Sequence, residues 1–436
     1  MSELKAPPRE IGLGGAILIN FNGAVGAGIF ALPALLYSSV GTLAPLAILV
    51  FALFVACNVA IYAKLSTIFE QSGGPQLYAE YTFGKLVGFQ TGWLNLCANM
   101  VGRAANFHVL VSYLAAIFPV FDNPVLRTAT MTALIAAFAL IAIIGTKRSI
   151  GAIGIGTMLK LLPILAVCTF GLLANGLPRE VALPEFSGFE TAALLIAYAF
   201  SGSGMSIIAA GETRNPQGTL QRAIYLNLAL VAVFYAFVQL CYISIAPDPN
   251  ELDSPLAAAG SAVFGSMGVL VISLAAIFSV GTNQLNSFVV MPRILYGMGR
   301  RGLVPRVFAK LSGRFETPWV AITTYSAIVA GLAASGTFVI LATLTVAAEQ
   351  VMFVVVFLAF LTLWRRNEGG MADTMGLIWI PIVVGTIALF LFVAAQHSLD
   401  AGLSTLALIA IGFVLYGIAR LGKHEHEEIR VGQGEA

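Results

Sequence analysis

Charge is what this sequence has least of. Of its 436 residues, only 10% are Asp, Glu, Lys or Arg, against about 25% in soluble domains. The net charge of +2 is too small to suggest a nucleic-acid partner. Histidine and cysteine are sparse as well, with four of each. Cys57, Cys97, Cys168 and Cys241 all sit in apolar stretches, and no two stand at a metal-ligand or redox spacing. They read as small buried hydrophobes, and no metal or cofactor is implied. No Ser/His/Asp set and no His-Glu-x-x-His stretch occurs, which argues against an intramembrane enzyme. The opening "MSELKAPPRE" lacks the basic region, short apolar core and small-residue cleavage site of a removable signal peptide.

Apolar sequence fills the space that charge leaves. Hydrophobic residues make up 58% of the chain, and the mean hydropathy is +0.91. A helix needs about 20 apolar residues to cross the hydrocarbon core. Twelve stretches qualify, near 13–38, 43–69, 87–118, 127–145, 151–175, 189–210, 220–246, 264–290, 318–335, 337–363, 375–396 and 402–421. The expected fold class is therefore an all-α membrane protein with twelve transmembrane helices. With the N-terminus inside, 19 of the 23 Lys and Arg residues fall in cytoplasmic segments, as the positive-inside rule requires. That places both termini in the cytoplasm and the first apolar segment in the plasma (inner) membrane. Residues 70–86, "EQSGGPQLYAEYTFGKL", read as a cytoplasmic interfacial loop with an amphipathic turn. Residues 422–436 read as a polar, disordered tail.

The stretch Gly23-Ala24-Val25-Gly26-Ala27-Gly28 puts three glycines into the first apolar run. Each costs a helix roughly 0.5–1 kcal/mol relative to alanine. A second such place is Ser201-Gly202-Ser203-Gly204 in the sixth run. In lipid, a broken helix is tolerated only where it faces protein or a wet cavity. Breaks in the first and sixth spans are the pattern of two five-helix repeats of opposite topology, each opened by a discontinuous helix. Free N–H groups at such a break attract a carboxylate and free carbonyls attract an ammonium, so a zwitterion suits both. Gly26 and Gly28 also remove side chains that would hold a ligand away from the backbone. The plainer explanation is close packing of helices through small residues.

These segments resemble a known family. "GAVGAGIFALP" resembles the first-helix motif of the amino acid–polyamine–organocation (APC) superfamily. "AFSGSGMSIIAAGETRNPQ" resembles its sixth helix and the following loop, and "MPRILYGMGRRGLVPRVFAKLSGRFETP" the loop after its eighth helix. The three occur in the family's order. The resemblance implies a LeuT-like fold: a 5+5 inverted repeat (13–175 and 189–363) with discontinuous helices 1 and 6, followed by two C-terminal helices (375–421) after a cytoplasmic segment at 1–12. It implies alternating-access transport of an amino acid or related amine, by a monomer or homodimer in the bilayer. It further implies that Ala24, Val25, Gly26, Ala27 and Gly28 offer N–H groups to the substrate carboxylate. Carbonyls around Asn20 and Phe21, and around Tyr198 and Ala199, would receive the amine. Tyr198 falls where many members carry an aromatic gate, with Phe200 and Gly202 beside it. Where many members carry a glutamate in the sixth-helix break, this sequence has Gly204.

Three ionisable residues sit inside spans, where each charge costs roughly 2.5–3.5 kcal/mol on insertion scales. Lys160 resembles the fifth-helix lysine of sodium-independent members, where the ammonium stands in the place of an ion. It could brace the first span by binding its carbonyls, carry a proton, or snorkel to the interface. Arg103 lies near the middle of the third span, which in the family lines the substrate pocket. It suits either a second substrate carboxylate, as in glutamate or aspartate, or an ion pair with Glu349 in the tenth span. Lys160 and Glu349 offer a further pairing, and both are candidates for coupling to protons. His108 reads first as a packed histidine. Asn283, Gln284 and Asn286 in the eighth span are expected to face the bundle.

The reading is a sodium-independent secondary transporter of amino acids, driven by protons or by exchange. Alternatives of the same fold are a polyamine or organic amine transporter and an amino acid exporter. A channel would show a charge ring or carbonyl-rich filter. A nutrient sensor on this fold would typically carry an added soluble domain.

Overall fold

The computed structural model describes residues 11–69, 74–144, 150–178, 188–201, 213–247, 252–374 and 376–421. Every regular element among them is a helix, and one isolated bridge joins Ile11 to Thr213. Helices satisfy their own backbone within the segment, which lipid demands. Eight helical stretches are long and apolar enough to cross a membrane, by length and composition. Four shorter apolar helices accompany them: Leu13–Ala24, Phe189–Phe200, Trp319–Ser335 and Trp379–Ala395. All twelve expected runs overlap helix, and this is an integral membrane protein.

The first run is two helices rather than one. Helix α1 (Leu13–Ala24) stops at Val25, whose φ/ψ of −81°/75° leaves the helical region, and α2 (Gly28–Val40) starts three residues later. Gly41, at φ 57°, ends α2. A 3₁₀ turn then leads into α3 (Ala44–Leu65). The segment expected to be an interfacial loop contains a helix, α4 (Pro75–Phe83), closed by Gly84 at φ 88°. It lies so close to α5 (Lys85–Ile117) that a Cβ on Gly88 would stand 2.3 Å from that of Glu80. Glu80 also accepts an ion pair from Arg301 at 2.9 Å.

The chain continues through α6 (Pro124–Ile144), α7 (Ile150–Asn175), α8 (Gly188–Phe200) and α9 (Pro216–Ile245). Most of the proposed sixth-helix break, including Gly202, lies outside the described residues; α8 ends at Phe200 and Ser201 is in a turn. The eighth run starts earlier than its hydropathy suggested. Helix α10 (Pro255–Val290) has a first limb that folds back at Gly265, φ 60° and ψ −145°. There Gly260 and Gly268 meet so closely that a Cβ on Gly268 would lie 1.9 Å from the Gly260 carbonyl. Then follow α11 (Pro292–Arg300), α12 (Trp319–Ser335), α13 (Phe338–Arg365), the short α14 (Met371–Thr374), α15 (Trp379–Ala395) and α16 (Leu399–Leu421).

Helix α5 is the hub. It packs against α4, α10, α12, α13 and α16, and it is the most buried of the long helices. Helix α9 packs against α1, α3 and α7, and α8 lies against α2 and α13. The interrupted α1–α2 pair is thereby enclosed on several sides, with its break in the interior.

Candidate functional site

The break exposes main-chain polarity of both signs. The N–H groups of Ala27, Gly28 and Ile29 find no backbone acceptor among the described residues, while Phe30 and Ala31 both donate to the Ala27 carbonyl. On the other side, the Phe21 carbonyl is still inside the helical ladder, accepting from Val25 N–H at 2.7 Å. The leftover carbonyls therefore begin at Asn22, one residue beyond the expected pair Asn20 and Phe21.

Three side chains from three helices hold those carbonyls. Asn283 of α10 donates to Asn22 O at 2.8 Å. Tyr235 of α9 donates to Ala24 O at 2.9 Å. Lys160 of α7 donates to Val25 O at 2.7 Å and to the Asn22 side chain at 2.5 Å. The Lys160 side chain is almost wholly enclosed, with 2% of the residue exposed, so it braces the break and does not snorkel. Gly23 O receives no hydrogen bond from any described residue.

A cavity of about 200 Å³ adjoins the break. Gly23, Ala24, Gly26, Ala27 and Gly28 form one wall. Neither backbone nor packing requires glycine at 26 or 28. Neither has positive φ, and an added Cβ would meet protein only at ordinary contact, 3.6 Å from Asn283 and 3.5 Å from Leu32 respectively. At Gly260 and Gly268, by contrast, a Cβ has no room.

Tyr198, Phe200 and Ser201 at the end of α8 also line the cavity. Tyr198 O–H donates to Asn106 at 2.5 Å, and its ring stands edge-on to Phe338 at 5.8 Å. The Tyr198 carbonyl accepts from Ser201 N–H at 3.1 Å. Phe200 leans on Tyr235, the residue that caps Ala24. Several expected residues lie elsewhere. Phe21 packs on Phe234, Asn20 is fully buried, Val25 contributes only its carbonyl to Lys160, and Ala199 backs onto Gly28 beside a smaller cavity.

Arg103 and Glu349 both line the cavity and do not pair with each other. The Arg103 guanidinium donates to Asn283 Oδ1, and Gln284 donates to the Arg103 carbonyl. The Glu349 carboxylate accepts from Ser201 Oγ at 2.5 Å. Lys160, occupied with α1, does not reach Glu349. His108 is off the cavity: its Nε2 meets Ala333 O at 3.0 Å, near an Arg127–Asp253 contact of 3.6 Å. The polar lining contributed by Asn58, Tyr62, Asn99, Asn106 and Thr345 was not singled out from sequence. Their only signal was polarity within apolar runs. Among the described residues, no cluster of metal-ligating side chains occurs.

Residues 11–417 match the family described as amino acid permease. The chain belongs to that family. This permease is 25% identical to the serine/threonine exchanger SteT of Bacillus subtilis over 390 residues, covering 83% of this chain and 84% of the relative. It is 25% identical to the branched-chain amino acid permease BcaP of the same organism over 433 residues, 94% and 93% of the two chains. Solute carrier family 7 member 12 of Mus musculus is 23% identical over 415 residues, 88% of this permease and 85% of the relative. The family and these relatives are transporters rather than enzymes.

Proposed function

We propose that this permease moves a zwitterionic amino acid across the cytoplasmic membrane by alternating access, without sodium. The observation that carries this is the interrupted α1–α2 pair, with N–H groups at Ala27 and Gly28 that find no backbone acceptor among the described residues and a Gly23 carbonyl left over on one cavity wall. The substrate carboxylate binds the N–H groups, and its ammonium takes the Gly23 carbonyl. Tyr198 and Phe200 close over it. In this reading twelve spans form a 5+5 inverted repeat with two further helices, and both termini are cytoplasmic.

Lys160 fills the place between α1 and α7 with an ammonium, which supports sodium independence. Glu349, held by Ser201 at the end of α8, is the candidate proton carrier, and Lys160 the second. The same carboxylate on the cavity wall favours one other reading, an organic amine as substrate. Uptake of labelled amino acids and putrescine into proteoliposomes, with and without sodium and a pH gradient, decides between them. Amino acid uptake independent of sodium is expected. Putrescine uptake without any amino acid uptake would overturn the proposal.

A further inference from the structure

The cavity has a second polar wall, away from the α1–α2 break. On α3 it carries Asn58 and Tyr62, one helical turn apart, and on α13 Glu349 and Phe353, spaced likewise. The Tyr62 ring stands edge-on to Phe353, with centroids 6.0 Å apart. In the twelve-span reading α3 and α13 run in the same direction. One turn back from that contact, Asn58 and Glu349 therefore share a level. Pro75, in the first turn of α4, and Met291, just past the end of α10, line the same cavity. In the same reading both lie toward the cytoplasm, so this wall leads from Glu349 to the cytoplasmic side.

The polar atoms of this wall are buried and unpaired. Asn58 and Tyr62 are 7% and 9% exposed. Yet Asn58 Oδ1 and Tyr62 Oη have no hydrogen-bond partner among the described residues. Ser201 donates to Glu349 Oε1, and no described donor meets Oε2. Gln350, the next residue, donates to Phe390 O at 2.9 Å instead. Buried polar groups are normally paired with protein or with ordered water, and a water needs a polar, roomy site with several partners. Two acceptors and a hydroxyl donor beside a cavity of about 200 Å³ meet that need. The ionisable groups that share the lining with Glu349 are Arg103 on α5, Tyr198 on α8 and Tyr62 on α3. Helices α4, α15 and α16 bring none to it among the described residues.

We propose that this wall holds a water that passes protons between the cytoplasm and Glu349. Tyr62 donates to the water oxygen. The water donates to Asn58 Oδ1 and points its other O–H at Glu349 Oε2. On transfer that O–H bond breaks and a carboxyl O–H forms, and the water regains a proton from the cytoplasmic side. The net change is one proton taken up by the carboxylate. Asn58 and Tyr62 are positioning residues, and neither changes its own protonation. This rests on the reading of Glu349 as proton carrier and adds the route by which its proton arrives.

Hydroxyl-radical labelling of the purified wild-type permease, read by mass spectrometry, tests the water directly, because the radicals form from water and mark side chains that touch it. Tyr113, also buried but hydrogen-bonded to Phe30 O, is the internal control. Tyr62 should be oxidised several-fold faster than Tyr113, and equal protection of the two would overturn the inference. Proteoliposomes carrying Tyr62→Phe or Asn58→Leu, loaded with an amino acid that the wild type takes up, test the proton. Tyr62→Phe keeps the ring against Phe353 and should lose most accumulation driven by a pH gradient, out of proportion to any loss of exchange. A merely structural role would lower both together. That result, or wild-type accumulation in both variants, would overturn the inference. If Asn58→Leu fails to insert, Tyr62→Phe and the labelling still decide. Wild-type accumulation in Glu349→Gln would instead refute Glu349 as the proton carrier, and absence of all amino acid uptake would refute the proposed function itself.

Discussion

The Lys160 ammonium of α7 lies 2.7 Å from the carbonyl oxygen of Val25, the residue at which α1 breaks. A charge in the membrane interior costs about 2.5–3.5 kcal/mol. Two hydrogen bonds made by a charged donor, each worth about 1.5–3 kcal/mol, are enough to offset it. The negative end of the α1 dipole adds to them. The arrangement makes the break a fixed part of the structure, held open by a side chain 135 residues away.

Lys160→Met is therefore expected to abolish or uncouple transport. It also strands a buried carbonyl, at a cost of about 1–3 kcal/mol. Proteoliposome uptake at several pH values and a thermal melt read both effects. Uptake with its pH dependence unchanged would remove Lys160 from the mechanism.

Gly28→Ala and Gly268→Ala should fail in opposite ways. At Gly28 a Cβ meets only ordinary contacts, 3.5 Å from Leu32, so the variant should melt near wild type yet lose uptake. At Gly268 a Cβ would fall 1.9 Å from the Gly260 carbonyl, and overpacking of this kind costs about 1–3 kcal/mol. That variant should melt early. Equal loss of stability in both would mean that Gly28 is a packing residue.

Asn283 joins three helices through one amide, accepting from Arg103 and donating to Asn22 O. Asn283→Ala leaves a buried carbonyl and a guanidinium short of partners, a loss of about 1–3 kcal/mol each. Melting temperature should drop together with substrate affinity. Asn283→Asp should weaken the Asn22 link, because a carboxylate has no N–H to donate.

Glu349→Gln keeps the acceptor for Ser201 and removes the titratable proton. If Glu349 carries the coupling proton, exchange of internal for external substrate persists while accumulation driven by a pH gradient disappears. Accumulation at the wild-type level would assign the proton to another group.

Much of this was legible in the residues. Apolar run length gave helices at all twelve places, and the glycines of 23–28 marked the α1 break, because both signals depend on local sequence. The partners of Arg103, Lys160 and Glu349 were not legible. Asn283 lies 180 residues from Arg103 and Ser201 lies 148 from Glu349, and hydropathy carries no information on which span faces which. The fold-back at Gly265 was missed because the eighth run was expected to begin near 264, which left the first limb of the helix outside it. The resemblance implied that carbonyls around Phe21 and Ala199 would receive the substrate amine, but the Phe21 carbonyl is spent within the helical ladder on Val25 N–H. The Phe21 ring packs on Phe234, and Ala199 backs onto Gly28.

The central claim is that the N–H groups of Ala27 and Gly28, left without a backbone acceptor at the cavity wall, hold a carboxylate. Thermal stabilisation of the purified permease by leucine and by 3-methylbutylamine, the same molecule without its carboxyl group, tests it most directly. At 100 times its dissociation constant a ligand stabilises by about 2.7 kcal/mol. A clear rise in melting temperature with leucine and none with the amine at the same concentration is the predicted result. Equal stabilisation by the two would contradict it.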